Sequence, residues 1–142
     1  MNLADLRLSG SDESLNEVVE KLNLTVDSRV KAGDLRRGGG VHLTSGLSIS
    51  IADAASPGAM LKEVRGFLAT CQKIGPNLFG DGVAAELSIG VTVGDSIQFI
   101  ASVDFSSTEL REIGTLGIAL SVTAYPTSDE VNDPANASAA PP

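Results

Sequence analysis

Residues 83–125 run as two alternating apolar segments, a capped helical segment and a third alternating segment, and no other stretch constrains the fold as tightly. Residues 83–93 and 97–105 predict two strands joined around Gly94, Asp95 and Ser96 as an antiparallel hairpin. The inward set is odd-numbered on both strands, so opposed residues must share parity. A two-residue loop breaks that rule. A three-residue loop pairing Val93 with Ile97 keeps it, and sets Glu86 opposite Asp104 and Gly90 opposite Ile100. Ser106 and Glu109 then form a capping box, and Leu110, Ile113 and Leu116 give the following helix an apolar face that Gly117 ends. Ile118, Leu120, Val122 and Ala124 predict the returning strand, by a right-handed crossover. This stretch holds no nucleophile beside a base and no ligand cluster, so it yields a fold class and no activity.

Upstream, residues 3–9 alternate with Ala4, Leu6 and Leu8 on one side, which predicts a half-buried strand. Gly10 ends it. Ser14 and Glu17 predict a capping box for a helix over residues 15–23, with Leu15, Val18, Val19 and Leu22 on one face. Residues 24–40 lose periodicity and read as a loop, although Leu24 and Val26 could add a short edge strand. Val41, Leu43, Ser45, Leu47, Ile49 and Ile51 predict a long strand in which Gly46 marks a bulge. Ser56 and Pro57 start a helix with the stripe Met60, Leu61, Val64, Phe67, Leu68, Cys71 and Ile74, which Gly75 and Pro76 stop.

The order β-α-β-α-β-β-α-β predicts an α+β two-layer sandwich: a mainly antiparallel mixed sheet of about five strands with helices on one face. Residues 1–125 form this single domain. Residues 126–142 are an acidic tail rich in Pro, Ala and Ser, expected to be disordered because so few apolar groups cannot offset the entropy of ordering it.

With Trp absent and aromatics at 4%, the core must be aliphatic. A net charge of -8 disfavours nucleic acid, whose phosphates require Lys and Arg, and favours either solubility or a basic partner. No stretch approaches the roughly 20 apolar residues that span a bilayer, and no leader precedes the first strand, so the chain reads as cytoplasmic and free of membrane. The lone Cys71 agrees with a reducing compartment.

Two runs resemble a known family. Leu6-Arg7-Leu8-Ser9-Gly10, a helix, and then Arg29-Val30-Lys31-Ala32-Gly33-Asp34 resemble the N-terminal half of the bacterial domain of unknown function 4279. Ser106-Ser107-Thr108-Glu109-Leu110 and Leu116-Gly117-Ile118-Ala119-Leu120, ahead of Tyr125, resemble its C-terminal half. The resemblance spans residues 3–125 and implies no catalytic residues. Members often carry an aromatic residue where this chain has Val41-His42-Leu43.

Candidate sites are few. Arg29, Lys31, Arg36 and Arg37, opposed only by Asp34, lead into Gly38-Gly39-Gly40. Glycine N–H groups and arginine forks suit a phosphate or carboxylate, but phosphate loops enter a helix and this one enters a strand, so a solvated loop is the competing reading. Glu86 opposite Asp104 would repel unless a cation or shared proton relieved them, or the two simply splay into water. His42 falls on a polar face with no nucleophile assigned to it. Cys71 sits in an apolar stripe and reads as packing. The outward, polar face gathers Thr44, Ser48, Ser50, Ser88, Thr92, Gln98, Ser102, Ser121, Thr123 and Tyr125, either as a wet face or as a docking surface anchored by Ile100 and Tyr125.

The expectation is a non-enzymatic protein-binding module, of an immunity type or an accessory factor, since acidic surfaces suit basic toxins. The alternative is a small-molecule or anion sensor or enzyme using loop 29–40. Self-association through an edge strand is a third. No cofactor and no metal are expected.

Overall fold

Alternation in the first strand places Ala4, Leu6 and Leu8 on one side, and all three are buried in β1 (Asn2–Gly10). The computed structural model describes residues 1–129, in which β1 is the centre of a five-stranded sheet. Its neighbours are β3 (Ser45–Ala54) and β4 (Ala84–Val93), both antiparallel; β2 (Ser28–Val30) flanks β3 antiparallel, and β5 (Ile118–Pro126) flanks β4 in parallel. The sheet order is β2-β3-β1-β4-β5, with α1 (Asp12–Leu22), α2 (Pro57–Ile74) and α3 (Ser107–Thr115) packed against it. This is the α+β sandwich with a mainly antiparallel mixed sheet. Among the described residues, no helix is long and apolar enough to cross a membrane.

The helix ends follow local chemistry. Ser56 caps α2 by accepting the Ala59 N–H at 3.2 Å, and Pro57 opens it. Ser106 and Glu109 satisfy each other's backbone N–H groups at α3, as the sequence predicts. At α1 the expected Ser14–Glu17 box does not form. Ser11 is the N-cap and accepts the Ser14 N–H at 3.2 Å, so the helix begins at Asp12. Two Ser residues three apart compete for one cap, and the earlier one recruits Asp12 and Glu13 into the first turn, where the helix dipole favours them.

The structure corrects the expected hairpin. β4 buries Ala85, Leu87, Ile89 and Val91 as the alternation predicts, yet its neighbours are β1 and β5, and residues 97–105 form no strand. Glu86 lies between Arg7 and Ala119 rather than opposite Asp104, and Gly90 lies between Leu3 and Thr123 rather than opposite Ile100. Ala101, Val103 and Phe105 do pack on the core, half-buried. An extended segment lying on a core shows the same period of two as a strand, whether or not its backbone pairs.

Other corrections are smaller. β3 starts at Ser45, not Val41; Val41 instead bridges to Leu35, and Leu43 is 89% exposed. The short edge strand is at residues 28–30 rather than around Leu24 and Val26. The bulge in β3 is at Ile51, not Gly46: Asp5 faces Ser50 and Ala4 faces Ala52, so burial shifts from odd Ile49 to even Ala52. Leu110 and Leu120, expected inside, are 48% and 37% exposed, because the described chain beyond α3 and β5 offers no further layer. Pro126 closes β5, and residues 130–142, most of the expected tail, lie outside the described residues.

Arg65 of α2 joins the α3 cap, its Nε donating to Glu109 Oε2 at 2.7 Å. That hydrogen bond, then the one from the Ser106 backbone, holds the Glu109 carboxyl at about 2 against an ordinary 4.5. A depressed acid adds stability above its unfolded value, and this is lost as pH falls from 4.5 towards 2. Glu109→Gln keeps the reciprocal cap and removes the charge. It is expected to lower stability at pH 7 by less than about 1 kcal/mol, the bridge being solvent-screened. Thermal melts should show wild type and variant converging as the buffer is acidified through that window.

Candidate functional site

Three regions of the surface carry the candidate residues. The first is the arm between β2 and β3, whose backbone folds back on itself: Gly33 N–H donates to His42 O, His42 N–H to Asp34 O, Arg36 N–H to Gly40 O and Gly39 N–H to Arg36 O. Gly39 and Gly40 have φ of +97° and +75°, which a side chain would resist. The turn brings Arg36, Arg37, Gly38, Gly39 and His42 around an open recess of about 680 Å³, which Val30 and Leu35 also line. Arg29 does not join them. Ser28 and Val30 face the sheet's open side, so Arg29 points to the helix layer and donates to Asn16 Oδ1 at 2.8 Å. Lys31 also stays off the recess, and its N–H donates to Asp34 Oδ2 at 2.8 Å.

The second region is the open sheet face, where Ser48, Arg7, Glu86 and Ala119 form one row and Ser50, Asp5, Ser88 and Ser121 the next. Glu86 thus has the opposite charge of Arg7 beside it instead of a second carboxylate, a favourable cross-strand pair. Asp104 lies away from this face in the crossover, where its carbonyl accepts a hydrogen bond from Arg65 at 2.9 Å. Glu86 and Asp104 therefore form no paired-carboxylate site. Burial raises the Asp5 carboxyl above its usual range, Arg7 opposes this, and Asp27 and Asp53 add to it. Tyr125 lies across Gly90, where an added Cβ would stand 3.2 Å from the ring.

The third region, which the sequence reading missed, is the turn after β4. Asn2 is fully buried, and its side-chain amide pairs reciprocally with that of Gln98: Asn2 Nδ2 donates to Gln98 Oε1 at 3.1 Å, and Gln98 Nε2 to Asn2 Oδ1 at 2.8 Å. Gln98 Nε2 also donates to the Thr92 carbonyl, and Asn2 Nδ2 to the Ala54 carbonyl at 3.3 Å. The Gln98 N–H donates to Asp95 Oδ1 at 2.7 Å, and the Gly94 N–H is shared by the carbonyls of Gln98 and Phe99 at 3.0 Å each. The turn is therefore tied to the ends of three strands. It nevertheless presents Ile97 at 84%, Phe99 at 72% and Ile100 at 78% exposure. Ile100 sits here and not on the sheet. The signal in the sequence was Asp95 three residues ahead of a Gln set in an otherwise apolar run, an Asx-type turn that the strand alternation masked.

Cys71 is fully buried, and burial pushes its thiol up to about 11. A maleimide or disulfide reagent at neutral pH is expected to label it only slowly in the native protein and fully once denatured; rapid native labelling would mean that α2 opens readily. Among the described residues, no three His, Cys, Asp or Glu side chains gather as a metal would need.

The fold and these surfaces define a small α+β domain with one sheet face that no described helix covers and one hydrogen-bonded apolar turn. Comparison with protein families, with curated proteins and with solved structures finds no match to the chain.

Proposed function

We infer that the protein is a non-enzymatic, cytoplasmic binding module that docks a protein partner on the turn formed by residues 97–100. The observation that carries this reading is the exposure of three large apolar side chains within four residues, on a backbone held by Gly94, Asp95 and the Asn2–Gln98 amides. Apolar groups on a solvent-facing turn favour association, and a turn already ordered loses little entropy on binding. The acidity of the chain, -8 overall, fits a basic partner and hence an immunity-type or accessory role. The resemblance to domain of unknown function 4279 is compatible with this role and adds no catalytic residue.

Affinity capture from the native source, run side by side with wild type and Phe99→Ser, tests the reading. One stoichiometric partner retained by wild type and lost from the variant is the expected result. Recovery of the protein alone at every salt concentration, or equal capture by both, would overturn it.

The recess of Arg36, Arg37 and His42 favours a second reading, an anion sensor or enzyme, because two guanidinium groups and glycine-rich backbone converge there. Thermal melts with phosphate, nucleotides and dicarboxylates test it, since a ligand at 100 times its dissociation constant adds about 2.7 kcal/mol. No shift with any anion would remove this reading.

A further inference from the structure

We propose that two copies of the chain pair through the outer edge of β5, which no described residue pairs, antiparallel and centred on Val122, to join their sheets into one. The two edges of this sheet differ. β2 is three residues long and carries Arg29, the kind of short, charged edge that discourages pairing. β5 is nine residues long, Ile118–Pro126, with no charged side chain, and its register with β4 runs without interruption.

Backbone phase shows which groups of β5 are available. The Thr127 N–H donates to the Val93 carbonyl at 2.8 Å, so the odd-numbered residues of this strand turn their backbone groups towards β4. The even-numbered residues, Leu120, Val122 and Ala124, therefore turn theirs to the open edge. Pro126, which has no N–H to offer, falls in the same phase at the very end, where it costs no bond to β4.

A second copy is the occupant that fits this edge. Centring on Val122 sets Val122 against itself, Leu120 against Ala124, and Ser121 against Thr123, so apolar meets apolar on one face and hydroxyl meets hydroxyl on the other. Each copy carries -8, and like charges facing each other across strands oppose pairing; β5 presents none. Leu120 and Val122 are 37% and 49% exposed on the side that the helices cover elsewhere, and pairing sets Val122 beside its own copy and Leu120 beside Ala124 of the second chain. The contact also closes. An antiparallel pair consumes both long edges, leaving only β2 at either end, so growth stops at two.

Sedimentation velocity of the full chain across the micromolar to millimolar range tests the pairing. The expected result is a mass that rises to twice the monomer's and no further. Val122→Pro removes an N–H that the strand's phase turns away from β4, and Val122→Lys sets two ammonium groups on the dyad; both are expected to remain monomeric with the far-ultraviolet spectrum of wild type. A wild type that stays monomeric to millimolar concentration, a mass that climbs past two copies, or folded variants that still dimerise would each overturn the proposal. Phe99→Ser should dimerise as wild type does, which separates this contact from partner docking at residues 97–100.

Discussion

Asn2→Leu is expected to lower the free energy of unfolding by about 2 kcal/mol, because it strips hydrogen bonds from polar groups that are partly buried. Asn2 is fully buried, and its loss deprives Gln98 Oε1 and the Ala54 carbonyl of their donor and Gln98 Nε2 of one acceptor. Removing both amides leaves neither member of the pair without its partner, although the Ala54 and Thr92 carbonyls still lose a donor. Asn2→Leu with Gln98→Leu should therefore cost clearly less than the two single changes added together, the coupling expected of a reciprocal pair. Urea titrations of the four proteins measure this, provided the slope with denaturant is unchanged. Strict additivity would show that the amide pair does not hold the turn. Gln98→Leu should also weaken partner capture, since the turn then loses its tie to β1 and β4.

Gly94→Ala has an effect of similar size for a different reason. Gly94 has φ of +106°, and an added Cβ would stand 2.6 Å from the Thr127 carbonyl oxygen, a backbone atom with little freedom to retreat. Strain of this kind costs about 3 kcal/mol, and any shift that relieves it breaks the N–H donation to Gln98 and Phe99. Gly38→Ala is the matched control. Nothing lies within 4 Å of its Cβ position and its φ is not positive, so a change within about 0.5 kcal/mol is expected. If Gly94→Ala melts with wild type, the approach of residue 127 to this turn does not persist in solution.

Much of the fold was legible because its causes are local. The Ser56–Pro57 start of α2, the Ser106–Glu109 box of α3 and the odd-numbered burial along β4 all follow from residues within a turn or two of one another. The α1 start was misread where two serines offered equivalent caps. Of the candidate sites, Arg36, Arg37 and His42 come together because few residues separate them and a turn brings them back. Asn2 and Gln98 meet across 96 residues, and no periodicity reports such a pair. Ile97 and Phe99 were counted as core because alternation records which side of an extended chain is apolar, not whether a layer covers it.

The sequence by itself determined which residues of β1 and β4 turn inward, where most helices begin and end, and that the layers would be α+β. Only the tertiary structure decided who pairs with whom. Backbone N–H and C=O groups are the same at every residue, so β4 can satisfy them with any extended neighbour. Placing β1 and β5 on either side of it buries Leu87 and Ile89 completely in the middle of the sheet, whereas a local hairpin would not have required the Asn2–Gln98 tie. The same choice turned residues 97–100 out as an exposed turn and left β5 as an outermost strand among the described residues.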